Sequence, residues 1–94
     1  MQNIESIKEK IIPILTKYAI HQASIVGSFA TGDQTENSDV DLIVKIDEQI
    51  SLLTFAKIKI ELEEALNRKV DLIERSAVKP SLKNYLTKNE IAVI

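Results

Sequence analysis

The sequence predicts an α/β (α+β) fold, a small mixed β-sheet with helices packed on one face. Three observations predict it. Apolar residues recur at helical spacing over two long stretches, Ile4 to Tyr18 and Leu52 to Leu66. Between and after them lie short segments with the two-residue alternation of strands. The clearest is Val40 to Ile46, where Val40, Leu42, Val44 and Ile46 share one side while Asp39, Asp41, Ile43 and Lys45 share the other. The elements follow one another as αβαβαβα, with no repeat, linker or low-complexity stretch, which suits helices on one face and a site on the other, open face.

Each element has its local signals. In the first helix Ile4, Ile7, Ile11, Ile12, Leu15 and Tyr18 form the apolar stripe, and Asn3 precedes it as N-cap. Pro13 is expected to kink or split that helix, because its ring and missing N–H disturb the preceding turn. Ala23 to Val26 reads as a short buried strand, and the glycine-bracketed turn Gly27 to Gly32 as the opening of a short helix at Ser28. Ser51 caps a helix to about Leu66, with Leu52, Phe55, Leu62 and Leu66 inward and Ile58 and Ile60 off the stripe. Asn67 can end it in the left-handed conformation. Lys69 to Glu74 is a third strand, Pro80 fits the first turn of a last helix through about Leu86, and Ile91 to Ile94 a short terminal strand.

A chain of 94 residues makes one domain, residues 1–94. With 45% hydrophobic and 28% charged residues it can bury a core, unlike a disordered tail. The net charge of −2, with both signs scattered, shows no basic stripe, so direct nucleic-acid binding is not expected. The absence of cysteine excludes a disulfide scaffold, a thiolate metal site and a thiol nucleophile. No apolar run approaches the roughly 20 residues that span a bilayer, and Met1 to Lys10 lacks a signal-peptide core. A cytoplasmic protein without membrane attachment is the expectation.

The chemistry concentrates in Ile25 to Val44, IVGSFATGDQTENSDVDLIV. A strand leads into a Gly-Ser turn, and the next strand opens with aspartates at i and i+2. Alternation sets Asp39 and Asp41 on one face, roughly 6–7 Å apart by strand rise. Such like charges repel unless a cation sits between them, and hard oxygen donors favour Mg²⁺ or Mn²⁺. Gly27 permits close backbone approach, and Ser28 offers a hydroxyl and an N–H at a helix start, where anions are favoured. Asp71 is the candidate third carboxylate, because Val70 and Leu72 point to the core and leave it on the open face. Glu74 falls on the opposite face by parity. Asp33 and Glu36 read as solvated charges, Ser38 as a turn residue, His21 as structural, and Tyr18, Phe29 and Phe55 as core. Taken singly, a Gly-Ser is usually a turn and an Asp-x-Asp a solvated strand edge; their combination, followed by a third strand bearing Asp, points to phosphoryl-group chemistry.

Gly27-Ser28, ten residues, then Asp39-Val40-Asp41 resembles the GSx₁₀DxD signature of the polymerase β-like nucleotidyltransferases, and VGSFATG, SDVDLIV and KVDLI are similar to the minimal nucleotidyltransferase group of bacteria and archaea. The resemblance implies the polymerase β-like fold. It implies that Gly27 and Ser28 hold the terminal phosphates of ATP, that Asp39 and Asp41 bind two Mg²⁺ ions, and that Asp71 completes the metal and catalytic set on the acceptor side. The group commonly carries arginine where this chain has Thr31, so a cationic phosphate contact is missing there. The resemblance also implies a HEPN-domain toxin as partner and an antitoxin role, exercised in some members by adenylylating a tyrosine of the HEPN ribonuclease. Three alternatives stay open: a non-catalytic antitoxin that neutralises by binding, transfer to a small molecule, and extension of nucleic acid. Base preference, acceptor and self-association are not legible.

Overall fold

The computed structural model describes residues 3–81 and 89–94. Helix α1 (Ile4–Lys17) begins at Asn3, whose side chain accepts from the Ser6 N–H at 2.8 Å. It runs through Pro13 as one helix, so of the expected kink or split the split does not occur. The physical reason is position. Pro13 and Glu9, the residue whose carbonyl loses its donor, both lie on the exposed side, where water can take that carbonyl. Meanwhile Ile7, Ile11 and Leu15 stay buried along the opposite stripe.

Strand β1 (Gln22–Val26) leads into the one-turn helix α2 (Ser28–Thr31), then a loop, strand β2 (Val40–Lys45) and helix α3 (Leu52–Leu66). Strand β3 (Val70–Glu74) follows, then a 3₁₀ turn at Arg75–Ala77 and the two-residue strand β4 (Ile91–Ala92). Pro80 and Ser81 are helical; the rest of the helix expected through about Leu86 lies outside the described residues. The strands form one mixed sheet in the order β3-β2-β1-β4. β1 is antiparallel to both β2 and β4, whereas β2 and β3 are parallel, joined across α3.

The hydrophobic core lies between the sheet and the helix pair α1 and α3. Ile7, Ile11 and Leu15 from α1 and Ile58, Leu62 and Leu66 from α3 meet Ala23, Ile25, Val40, Leu42, Val44, Val70 and Leu72. The phase of α3 corrects the sequence reading in two places. Ile58 is buried, because it fills the i+3, i+4 step between Phe55 and Leu62. Leu52 is 88% exposed, since burial fades toward the start of the helix, where even Phe55 is only half-buried. Ile60 is exposed, as expected, and Asn67 closes α3 in the left-handed conformation (φ 51°).

The far face of the sheet is less open than the alternation suggested. Ile43 and Val26 on that side are fully buried. On that face Val26 of β1, Asp41 of β2 and Asp71 of β3 lie side by side, passing from buried through half-buried to exposed. Among the described residues no helix is long and apolar enough to cross a membrane.

The corrected phase of α3 is testable by chemical denaturation. Ile58→Ala is expected to cost about 2–5 kcal/mol as a core truncation, whereas Ile60→Ala should stay within about 0.5 kcal/mol of the parent.

Candidate active site

The site is built at the end of β1. Val26 pairs with Asp41 across the antiparallel ladder, so the next residue, Gly27, passes directly over the Asp41 side chain. Gly27 adopts φ 72°, ψ −148°, a region closed to most side chains. A β-carbon placed on it would collide with Asp41 Oδ2 and come within 3.1 Å of Asp41 Cγ. Glycine is therefore required twice, by the backbone angle and by the carboxylate beneath it. The Gly27 carbonyl accepts from the Ala30 and Thr31 N–H groups at 3.0 and 3.1 Å, which winds α2 immediately after the turn. Gly32 (φ 84°) closes α2 by donating to Ser28 O.

Asp41 and Asp71 are direct partners across the parallel β2–β3 pair. The structure thus brings together the two carboxylates that lie on different strands. Asp39 stands just before β2, exposed, and close enough to act on Asp41. Burial raises the Asp41 carboxyl above its ordinary pKa, and the negative charges of Asp71 and Asp39 raise it further. Asp41 is the half-buried centre of the group, with Asp39 and Asp71 on its exposed flanks. Glu74 lies on the other face, as its parity requires. It accepts from the Ser76 N–H (2.8 Å) and the Ser76 hydroxyl. It therefore fastens the turn after β3 and takes no part in the aspartate row.

These carboxylates are hard oxygen donors of the type that suits Mg²⁺ or Mn²⁺. None of the three is in an ion pair with a lysine or arginine among the described residues. Among the described residues no three acidic, histidine or cysteine side chains enclose a metal position. The arrangement is open, which fits a cation that takes one or two carboxylates and fills its remaining positions with water and phosphate oxygens. A cleft of ≈ 680 Å³, lined by Ile46, Ile50, Phe55, Leu72 and Ala77, opens at the opposite end of β2 and β3 and includes none of the three aspartates. The aspartate row is a surface feature, not the floor of that cleft.

Two further contacts shape the site. The Thr31 hydroxyl donates to the Asp33 carboxylate at 3.0 Å, tying the end of α2 to the loop that follows. Arg68, which carries no motif in the sequence, reaches that same loop. Its Nη1 donates to the carbonyls of Ser38 (2.6 Å) and Glu36 (3.0 Å), and its guanidinium lies 5.3 Å from the centre of the Phe29 ring. The sequence gives no sign of this, since a single arginine after a helix end looks like any solvated charge.

A glycine turn set against a pair of strand-borne carboxylates, on a mixed sheet backed by two helices, defines a nucleotidyltransferase domain. The family model for polymerase beta nucleotidyltransferases matches residues 9–94, and the chain belongs to that family. It is 42% identical to a Methanocaldococcus jannaschii protein assigned as a protein adenylyltransferase, over 98% of this chain and 99% of that one. Among solved structures it is similar to a protein assigned as a minimal nucleotidyltransferase (TM-score 0.81, 27% identity, 96% of this chain and 95% of that one). A chain in the complex of a tri-AMPylated Shewanella oneidensis HEPN toxin with an MNT antitoxin shares the fold (TM-score 0.75, 17% identity, 96% of this chain and 71% of that one).

Two outcomes follow for the apo protein. Gly27→Ala should lower stability by about 1–3 kcal/mol through forced strain, and by more than Gly32→Ala, where the added methyl meets open space; thermal unfolding compares the two. Asp41→Asn should raise the melting temperature at neutral pH. A carboxyl whose pKa is raised in the folded state binds its proton more tightly there, so stability falls as pH climbs above the ordinary carboxylate pKa. The Asn variant should lack that fall, and added Mg²⁺ should stabilise the parent more than the variant.

Proposed function

We propose that this chain is a Mg²⁺-dependent adenylyltransferase that moves AMP from ATP to a tyrosine of a cognate HEPN ribonuclease toxin, and so acts as that toxin's antitoxin. The observation that carries the reading is the position of Asp41, pressed between Asp39 and Asp71 and lying directly against the side-chain-free Gly27. Three like charges gathered beside a turn suited to phosphate form an unfavourable group by themselves and a favourable one around divalent cations.

Gly27 and Ser28 hold the terminal phosphates of ATP, where the missing side chain lets backbone N–H groups approach the oxygens. Asp39 and Asp41 would hold two Mg²⁺ ions, and Asp71 would complete the set on the acceptor side. The ions would supply charge neutralisation for an in-line displacement. The acceptor hydroxyl oxygen forms a bond to the α-phosphorus, the bond from that phosphorus to the bridging oxygen breaks, and pyrophosphate leaves with the electron pair. Asp71 is exposed, so its negative charge is available to favour loss of the proton from an arriving hydroxyl. The aspartate row lies on the surface, away from the ≈ 680 Å³ cleft, which favours an acceptor presented by another protein over a small molecule held in a pocket. The adenylyltransferase assignment of the M. jannaschii relative and the AMPylated toxin in the S. oneidensis complex support the same substrates.

A second reading is neutralisation by binding alone. It is favoured by Thr31 standing where the group commonly has arginine. One experiment separates the two. The chain is incubated with its co-encoded HEPN protein, Mg²⁺ and ATP labelled at either the α- or the γ-phosphate. Transfer predicts label on the toxin from α-labelled ATP only, lowered about 100-fold or more by Asp41→Asn. No label on a correctly paired toxin, with Asp41→Asn still protecting cells, would establish the binding reading instead.

A further inference from the structure

We propose that Arg68 is a positioning residue for Asp39, holding the acidic loop against the phosphate turn; the proposal rests on the nucleotidyl-transfer reading above. Asp39 needs such a device. It lies outside β2 and is exposed, so strand pairing does not fix it, and the charge of Asp41 pushes it outward. Beyond their own turn, the residues before it are anchored by one side chain. Arg68 Nη1 donates to Ser38 O at 2.6 Å, to Glu36 O at 3.0 Å and, weakly, to Thr35 O at 3.5 Å. Directly after Asp39, the Val40 N–H donates to Lys69 O at 3.0 Å. Asp39 is thus bracketed on both sides by consecutive residues of one segment.

The same guanidinium faces the Phe29 ring, and Phe29 is buried in α2, the helix that starts at Ser28. One planar group therefore joins the loop that delivers Asp39 to the helix that delivers Ser28. The segment itself is fixed by the end of α3. Asn67 turns the chain in the left-handed conformation, and the Arg68 N–H donates to Glu63 O at 3.3 Å. Arginine suits the place because its flat cation can stack on an aromatic face while its N–H groups fan toward several carbonyls; the point charge of lysine can do only part of this.

The test uses the full chain with its HEPN partner and compares the parent with Arg68→Met and Arg68→Lys. Turnover of Arg68→Met should fall about 10- to 100-fold, the range for removing a residue that orients a metal-binding side chain, with the KM for ATP nearly unchanged. Arg68→Lys should recover part of the loss. In the unliganded chain, amide hydrogen exchange at Ser38 and Val40 should quicken in Arg68→Met while the α1 and α3 amides keep their protection. Unchanged exchange at Ser38 and Val40 would overturn the proposal. So would a turnover loss no larger than the unfolded fraction. If the parent transfers no AMP at all, the nucleotidyl-transfer reading fails by itself, and the exchange data still decide whether Arg68 fixes the loop. Should Arg68→Met not fold, Arg68→Lys alone decides by the same two measurements.

Discussion

The molecule turns on the contact between a residue with no side chain and a carboxylate. Where β1 ends, the backbone at Gly27 lies so close over Asp41 that any β-carbon would strike its oxygen. That closeness leaves Asp41 half-buried beneath the turn while it lies level with Asp71 on the neighbouring strand. The register of β1 against β2 sets it up, by pairing Val26 with Asp41. The two helices on the other face supply the hydrophobic stability against which the repulsion is held in place.

That repulsion is informative because the fold tolerates it. A carboxyl raised by burial and by two like charges weakens the folded state when ionised. Strain of this kind persists where the surrounding structure over-determines it, and it tends to gather at sites of action.

Most of this was legible in the sequence because two simple rules dominate it. Two-residue alternation fixed the faces of β2 and β3, so Asp41 and Asp71 could be set on one side and Glu74 on the other before any coordinates. Capping chemistry located Asn3, Ser51 and Asn67, each of which ends a helix as expected. The failures arose where tertiary surroundings decide. Ile58 falls off a stripe drawn through Leu52, Phe55, Leu62 and Leu66, yet it is the buried residue between Phe55 and Leu62. Pro13 does not split its helix, because its lost hydrogen bond faces water. The burial of Ile43 and the reach of Arg68 across 30 positions to Ser38 depend on which segments meet in space, which periodicity does not encode.

The parallel pairing of β2 with β3 also builds the acidic row from distant parts of the chain. Asp39 and Asp41 are local to β2, but Asp71 reaches them through the α3 crossover that sets β3 alongside. Arg68 and Lys69 lie immediately ahead of Asp71, so the same crossover seats the loop anchor, forms the Val40–Lys69 bond and closes the acidic row. A nascent chain that stops before Val70 carries the recognisable motif in full yet has only part of the constellation. One short stretch, residues 68–71, therefore carries the loop anchor, the backbone acceptor for Val40 and the carboxylate that pairs with Asp41.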